Sequence, residues 1–93
     1  MPRKTVHVTI SGKVQGVGYR AWTERQALAR GLSGWVRNRR GGMVEAVFSG
    51  EAEIVDAMLA ACRAGPPQGR VNSVDANEQV QEVTGRFEVR STF

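Results

Sequence analysis

Hydrophobic and polar residues alternate near the start of the chain, with Val6, Val8 and Ile10 set against His7, Thr9 and Ser11. A period of two sends successive side chains to opposite faces, so residues 6–10 predict a strand with one face covered. From residue 21 to about 32 the spacing becomes helical. Ala21, Leu28 and Leu32 share a stripe, Trp22 and Ala29 lie beside it, and Gly31 or Gly34 can end the helix. Residues 34–40 then predict a strand, Gly41-Gly42 a hairpin turn, and residues 43–48 the partner strand, with Val44, Ala46 and Phe48 on one face. Gly50 marks its exit, and Glu51 and Glu53 suit the positive end of a second helix. That helix carries Ile54, Met58 and Ala61 on one stripe and Val55, Leu59 and Cys62 on the next. The run Gly65-Pro66-Pro67-Gln68-Gly69 breaks the chain, residues 70 to about 80 predict another strand, and Gly85 opens a last one over 86–90.

The order strand, helix, strand, strand, helix, strand, with a short extra strand, predicts a mixed α/β (α+β) fold. It is the ferredoxin-like split βαβ sandwich, a mostly antiparallel sheet with two helices on one face. Residues 1–93 are expected to form a single domain. Such a fold carries many functions and selects none.

Composition narrows the classes. At 41% hydrophobic and 24% charged the chain is globular in character. No apolar run is long enough for a membrane span, and the N-terminal MPRKTVHV lacks the apolar core of a secretory signal. One cysteine, Cys62, allows neither an internal disulfide nor a cysteine-rich zinc site, which fits a cytoplasmic protein. In its helical stripe Cys62 reads as a core residue. The net charge of +4 comes from basic residues scattered along the chain, with one cluster at Arg37, Arg39 and Arg40. That distribution points to a small anionic ligand more than to nucleic acid. The cluster reads as a solvated basic rim that steers anionic substrate, and His7 as plain surface on the polar face of its strand.

Candidate chemistry concentrates in residues 11–20, SGKVQGVGYR, between the first strand and the first helix. Gly12, Gly16 and Gly18 let the backbone approach a ligand, and a helix N-terminus after such a turn points N–H donors and positive potential at one spot. Arg20 adds a planar fork matched to phosphate or carboxylate oxygens. The stretch reads as an anion cradle. The alternative is an ordinary strand-to-helix turn with a solvated arginine. The spacing matches neither GxxxxGK[ST] nor GxGxxG. On spacing alone, Asn38 is a residue that satisfies turn backbone.

The stretch from Gly12 to Arg20 closely resembles the phosphate-binding signature of acylphosphatases, G-x-V-Q-G-V-x-[FY]-R, and Gly34-Trp35-Val36-Arg37-Asn38 resembles the family's second signature, G-[WFY]-[VA]-x-N. Residues 42–50, 62–67 and 87–90 resemble the remainder of the family. The resemblance implies hydrolysis of acyl phosphates to a carboxylate and inorganic phosphate, with no cofactor and no metal. It implies that Arg20 and the backbone N–H groups of Gln15, Gly16, Val17, Gly18 and Tyr19 hold the phosphoryl oxygens and that Asn38 positions the attacking water. Tyr19 stands where phenylalanine is commoner, and an alanine precedes Cys62 where an aromatic is frequent. Both departures touch packing more than chemistry.

The implied partner is a small acyl phosphate, with inorganic phosphate or sulfate able to occupy the same site, and a monomer without membrane contact is expected. Two alternatives share the fold. A nucleic-acid-binding module would carry aromatics on its central strands, where this chain has only Phe48, on the face of Val44 and Ala46. An acylphosphatase-like domain of a larger carbamoyl-phosphate-using enzyme of hydrogenase maturation would be followed by zinc-binding cysteine motifs, which do not occur in these residues.

Overall fold

The computed structural model describes residues 2–93. Its elements are β1 (Arg3–Lys13), α1 (Tyr19–Ala29), β2 (Ser33–Asn38), β3 (Val44–Glu51), α2 (Ala52–Ala64), β4 (Arg70–Gln79) and β5 (Glu88–Val89). The five strands form one sheet in the order β4-β1-β3-β2-β5. Every pairing is antiparallel except that of β5 with β2. The ferredoxin-like α+β architecture expected from the element order is the one observed.

The alternation in β1 works as read. Val6, Val8 and Ile10 are buried in one cluster with Tyr19, Val36, Val44, Phe48, Val55 and Met58, while His7 and Thr9 on the other face stay half-exposed. Phe87 completes this core, stacked on Phe48 with ring centroids 5.7 Å apart. β1 is nevertheless longer than its hydrophobic pattern. It pairs along both edges, with β3 and β4, and these ladders recruit polar residues at each end. Between Ser11 and Gly12 the register with β4 slips by a bulge. Gly12 takes φ +125° there, and a Cβ would sit 2.2 Å from the Arg70 carbonyl oxygen, so only glycine fits.

Several boundaries differ from the sequence expectation, each for a physical reason. α1 begins at Tyr19, ahead of residue 21, and buries Tyr19, Thr23 and Ala27 with Trp22 and Leu28 half-buried; Ala21 and Ala29 face solvent. Alanine brings little apolar area, so the large Tyr19 ring decides which face turns inward. Thr23 joins that face because its hydroxyl donates to the Tyr19 carbonyl at 2.8 Å, leaving no polar group unpaired. Leu32 is buried from beyond the helix end, after Gly31.

β2 stops at Asn38 and β3 starts at Val44, so the connection runs over residues 39–43, wider than a two-residue Gly41-Gly42 turn. The Arg39 N–H donates to the Met43 carbonyl at 2.8 Å and closes it. Gly50 lies inside β3 instead of ending it, packed so closely that a Cβ would meet the Leu32 side chain at 2.6 Å. β5 is two residues long, although residues 86–90 alternate as a strand. Both expected stripes of α2 face the sheet, with Val55, Met58 and Cys62 fully buried and Ile54 and Leu59 packed beside them.

Candidate active site

β1 ends at Lys13, and residues 14–18 turn directly into the N-terminus of α1. Gly16 and Gly18 take φ of 76° and 78°, the left-handed region that glycine enters without cost. Gly18 is the N-cap of α1. It has no side chain to cap the first turn, and that turn contains no acidic residue. The orphan N–H groups of a helix start are therefore left unclaimed, and the helix dipole favours an anion beside them. Among the described residues, no protein group accepts from the N–H of Gln15, Gly16, Val17 or Gly18. A depression of about 210 Å³ opens here, lined by Val14, Gly16, Gly18, Tyr19, Arg20, Ala21 and Asn38. It brings together Arg20 of α1 and Asn38 of β2, the two side chains singled out from the sequence.

Each is positioned from the C-terminal segment. The Arg20 guanidinium donates through Nη1 to the Arg90 carbonyl at 3.3 Å, which leaves its other donors unengaged. The Arg90 N–H donates to the Val36 carbonyl at 2.8 Å, and the Phe93 N–H to the Asn38 carbonyl at 3.1 Å. Asn38 sits opposite the buried Val44 in the β2–β3 ladder. Among the described residues its carboxamide has no hydrogen-bond partner, so its one acceptor and two donors are free. It does not serve as a turn-satisfying side chain.

The remaining loop residues divide by role. Tyr19 offers only its backbone to the depression. Its ring is buried against Trp22 and its hydroxyl donates to the Cys62 carbonyl at 2.8 Å. Burial pushes the phenol well above its ordinary pKa. Val17 packs against the core. Gln15 does something spacing does not announce. Its Nε2 donates to the carbonyls of Arg39 at 2.7 Å and Met43 at 2.8 Å, fastening the glycine loop to the hairpin that follows Asn38. Burial also pushes the Cys62 thiol up to about 11, in keeping with a core residue.

The opposite face of the sheet corrects two expectations. Arg37 and Arg39 are not a free rim. Arg37 Nε donates to Glu45 Oε1 at 2.7 Å and Arg39 Nη1 to the same oxygen at 3.2 Å. Both guanidiniums also lie over the Phe93 ring, at 4.3 and 5.0 Å from its centroid. Of that cluster, only Arg40 is exposed without a carboxylate among the described residues. His7 is not plain surface either, since its Nε2 lies 2.6 Å from Glu45 Oε2. The outward residues of β1 and β3, Thr5, His7, Thr9, Glu45, Val47 and Ser49, include no aromatic. Trp35 of β2, beside Val47 on this face, has its ring covered by the guanidiniums of Arg37 and Arg90 at 4.7 Å each, so no free platform for bases is presented.

Glu45 is almost fully buried, and burial by itself would push its carboxyl up. The hydrogen bonds from His7, Arg37 and Arg39 outweigh that and hold it at about 2, below the ordinary 4.5. A carboxylate whose pKa is depressed by folding adds stability above its unfolded pKa and loses it as pH falls through the folded value. Stability is therefore expected to drop between about pH 4.5 and 2, by on the order of 3 kcal/mol from this group. Glu45→Gln should be less stable at neutral pH and lack this acid limb. Urea melts at pH 6 and pH 3 on both proteins test it, and parallel acid losses would reassign the limb to other carboxylates.

The acylphosphatase sequence model matches residues 6–89, which include the glycine loop, Arg20 and Asn38. The chain belongs to the acylphosphatase family. It is 61% identical over 74 residues to an acylphosphatase of Bradyrhizobium diazoefficiens, covering 80% of this chain and 75% of the relative. Over 84 residues it is 55% identical to an acylphosphatase of Methylococcus capsulatus, covering 90% and 89%. The fold superimposes on a solved acylphosphatase from Coxiella burnetii with a TM-score of 0.91 at 40% identity, covering 95% and 93%. The mixed α/β architecture, a five-stranded sheet with two helices, is thus matched over nearly the whole chain by that solved acylphosphatase. Among the described residues, no helix is long and apolar enough to cross a membrane.

Proposed function

We propose that this chain hydrolyses acyl phosphates as a monomer, with Arg20 and the N–H groups of residues 15–19 holding the phosphoryl oxygens and Asn38 orienting the attacking water. The observation that carries this reading is the shared depression, where free backbone donors, a guanidinium and an unpartnered carboxamide meet. Its lining contains no carboxylate, imidazole or thiol. For most hydrolases that would leave the reaction without an acid or base.

An acyl phosphate removes the need. Its leaving group is a carboxylate whose conjugate acid has a pKa of about 4–5, so protonating it gains little. Phosphoryl transfer to water through a loose transition state then asks mainly for positioning and charge stabilisation. The fork of Arg20 and the N–H nest supply donors to the equatorial oxygens, fixed before the substrate arrives. Asn38 is too weak a base to deprotonate water, and it orients a water molecule through its acceptor and donors. Substrate phosphate oxygens take the proton in this scheme. The substrate is a small acyl phosphate, and a cytoplasmic setting agrees with the free thiol of Cys62.

Purified protein is expected to hydrolyse benzoyl phosphate without added metal, to keep its rate in EDTA, and to be inhibited competitively by inorganic phosphate. Turnover that vanishes in EDTA and returns with a divalent cation would sink the mechanism. Indifference to saturating phosphate would sink the cradle.

A further inference from the structure

The strand registers reveal a charge asymmetry that the catalytic scheme does not use. Taking β1 as a ruler, the strand acids Glu45 and Asp75 lie level with Thr9, while Glu78 and Glu51 lie level with Val6 and Arg3. From Ile10 to the cradle end, the charged residues of the strands and the β2–β3 hairpin are all basic: Lys13, Arg39, Arg40 and Arg70. The last turn of α2 adds Arg63 at the same end. Within this set Lys13 and Arg70 stand directly opposite each other in the β1–β4 ladder. Both are exposed, and among the described residues neither meets a carboxylate. Like charges directly across an antiparallel pair are destabilising, so the fold gains nothing from this arrangement. The local backbone nonetheless holds it in place through the bulge at Gly12, closed against Arg70, and through Gly69, whose Cβ position lies 3.4 Å from the Lys13 carbonyl oxygen.

We infer that Lys13 and Arg70 form an electrostatic rim that draws the anionic substrate to the cradle and raises the rate of productive encounter; this rests on the acyl phosphatase reading above. Lys13 immediately precedes the loop. An extended chain spans at most about 3.6 Å per residue, which keeps its Cα within about 11 Å of Gly16. That is close to the Debye length of about 8–10 Å at 0.1–0.15 M salt, so the pair acts on a phosphate dianion mainly at low ionic strength. The rim touches neither the phosphoryl group nor the water, and it acts on kcat/KM and not on kcat.

The test is Lys13→Gln, Arg70→Gln and the double variant, assayed with benzoyl phosphate from 10 mM to 1 M salt alongside Lys13→Arg. At low salt the double variant should lose about fivefold in kcat/KM with kcat nearly unchanged, and the loss should vanish at 1 M. Lys13→Arg should match the wild type. Because a repulsion is removed, the melting temperature should rise by about 1–3 °C, which no structural role predicts. A loss that persists in 1 M salt, an unchanged kcat/KM at low salt, or a lower melting temperature would overturn the rim. Should the wild type fail to hydrolyse benzoyl phosphate, the proposed activity fails on its own. The rim is then read from inorganic phosphate affinity by calorimetry over the same salt series, where equal affinities for wild type and double variant, or no binding to either, overturn it.

Discussion

Arg20→Lys is expected to weaken inorganic phosphate inhibition and to lower turnover together, each by about 10- to 100-fold. The charge survives this substitution, so a site that needed only positive potential would hardly notice it. What is lost is geometry. Arg20 lies in the first turn of α1, with one guanidinium nitrogen tied to the Arg90 carbonyl and the rest of the fork left for the depression. A lysine ammonium is a mobile point charge. It could satisfy that carbonyl or a phosphoryl oxygen, without presenting paired donors in a fixed plane. The guanidinium is no part of the hydrophobic cluster, so the fold should stand, which circular dichroism checks. Steady-state kinetics with benzoyl phosphate and the phosphate inhibition constant are the measurements. Wild-type phosphate inhibition in the lysine variant would show that Arg20 is not the phosphate fork.

The glycine turn into α1 was legible because its elements are local, while spacing alone left the anion cradle beside an ordinary turn and only the family resemblance singled out Asn38. Gly16, Gly18, the first turn of α1 and Arg20 are contiguous, and a strand followed by a glycine turn and a helix start constrains where the N–H groups point. β1 and α2 were legible for a related reason, since each buries one face and the period shows it. β3 was legible from Val44, Ala46 and Phe48 on its core face, although its other face, with Glu45, Val47 and Ser49, is buried too. The face of α1 was not, because its buried side mixes a tyrosine, a threonine and an alanine. Hydrophobicity ranks Thr23 as polar, and only its bond to the Tyr19 carbonyl makes it a core residue. Pairings distant in sequence were invisible altogether. Nothing in the spacing reports that Gln15 reaches the Arg39 and Met43 carbonyls, or that Glu45 gathers His7, Arg37 and Arg39. The cluster at Arg37, Arg39 and Arg40 read as a rim because its counter-charge sits on the neighbouring strand. The proposed steering pair, Lys13 and Arg70, was invisible for the same reason, since its members are far apart in sequence but directly opposite each other in the sheet.

Asn38→Ala separates water from phosphate. In the proposed scheme the carboxamide orients the nucleophile and makes no contact with the phosphoryl oxygens. The variant should therefore lose about 100-fold or more in kcat, the scale of removing one preorganised polar group, while its phosphate inhibition constant changes little. Two features of the structure make the comparison clean. The Asn38 contact with Phe93 runs through its backbone carbonyl, which alanine keeps, and the carboxamide has no protein partner whose loss could disturb β2. The neighbouring Arg37–Glu45 pair, which fixes the β2–β3 register one residue earlier, is untouched. A drop in kcat accompanied by an equal loss of phosphate affinity would place Asn38 on the phosphoryl group instead. Near-normal turnover in a folded variant would leave the water without its orienting group, and the mechanism would then need another residue to hold it.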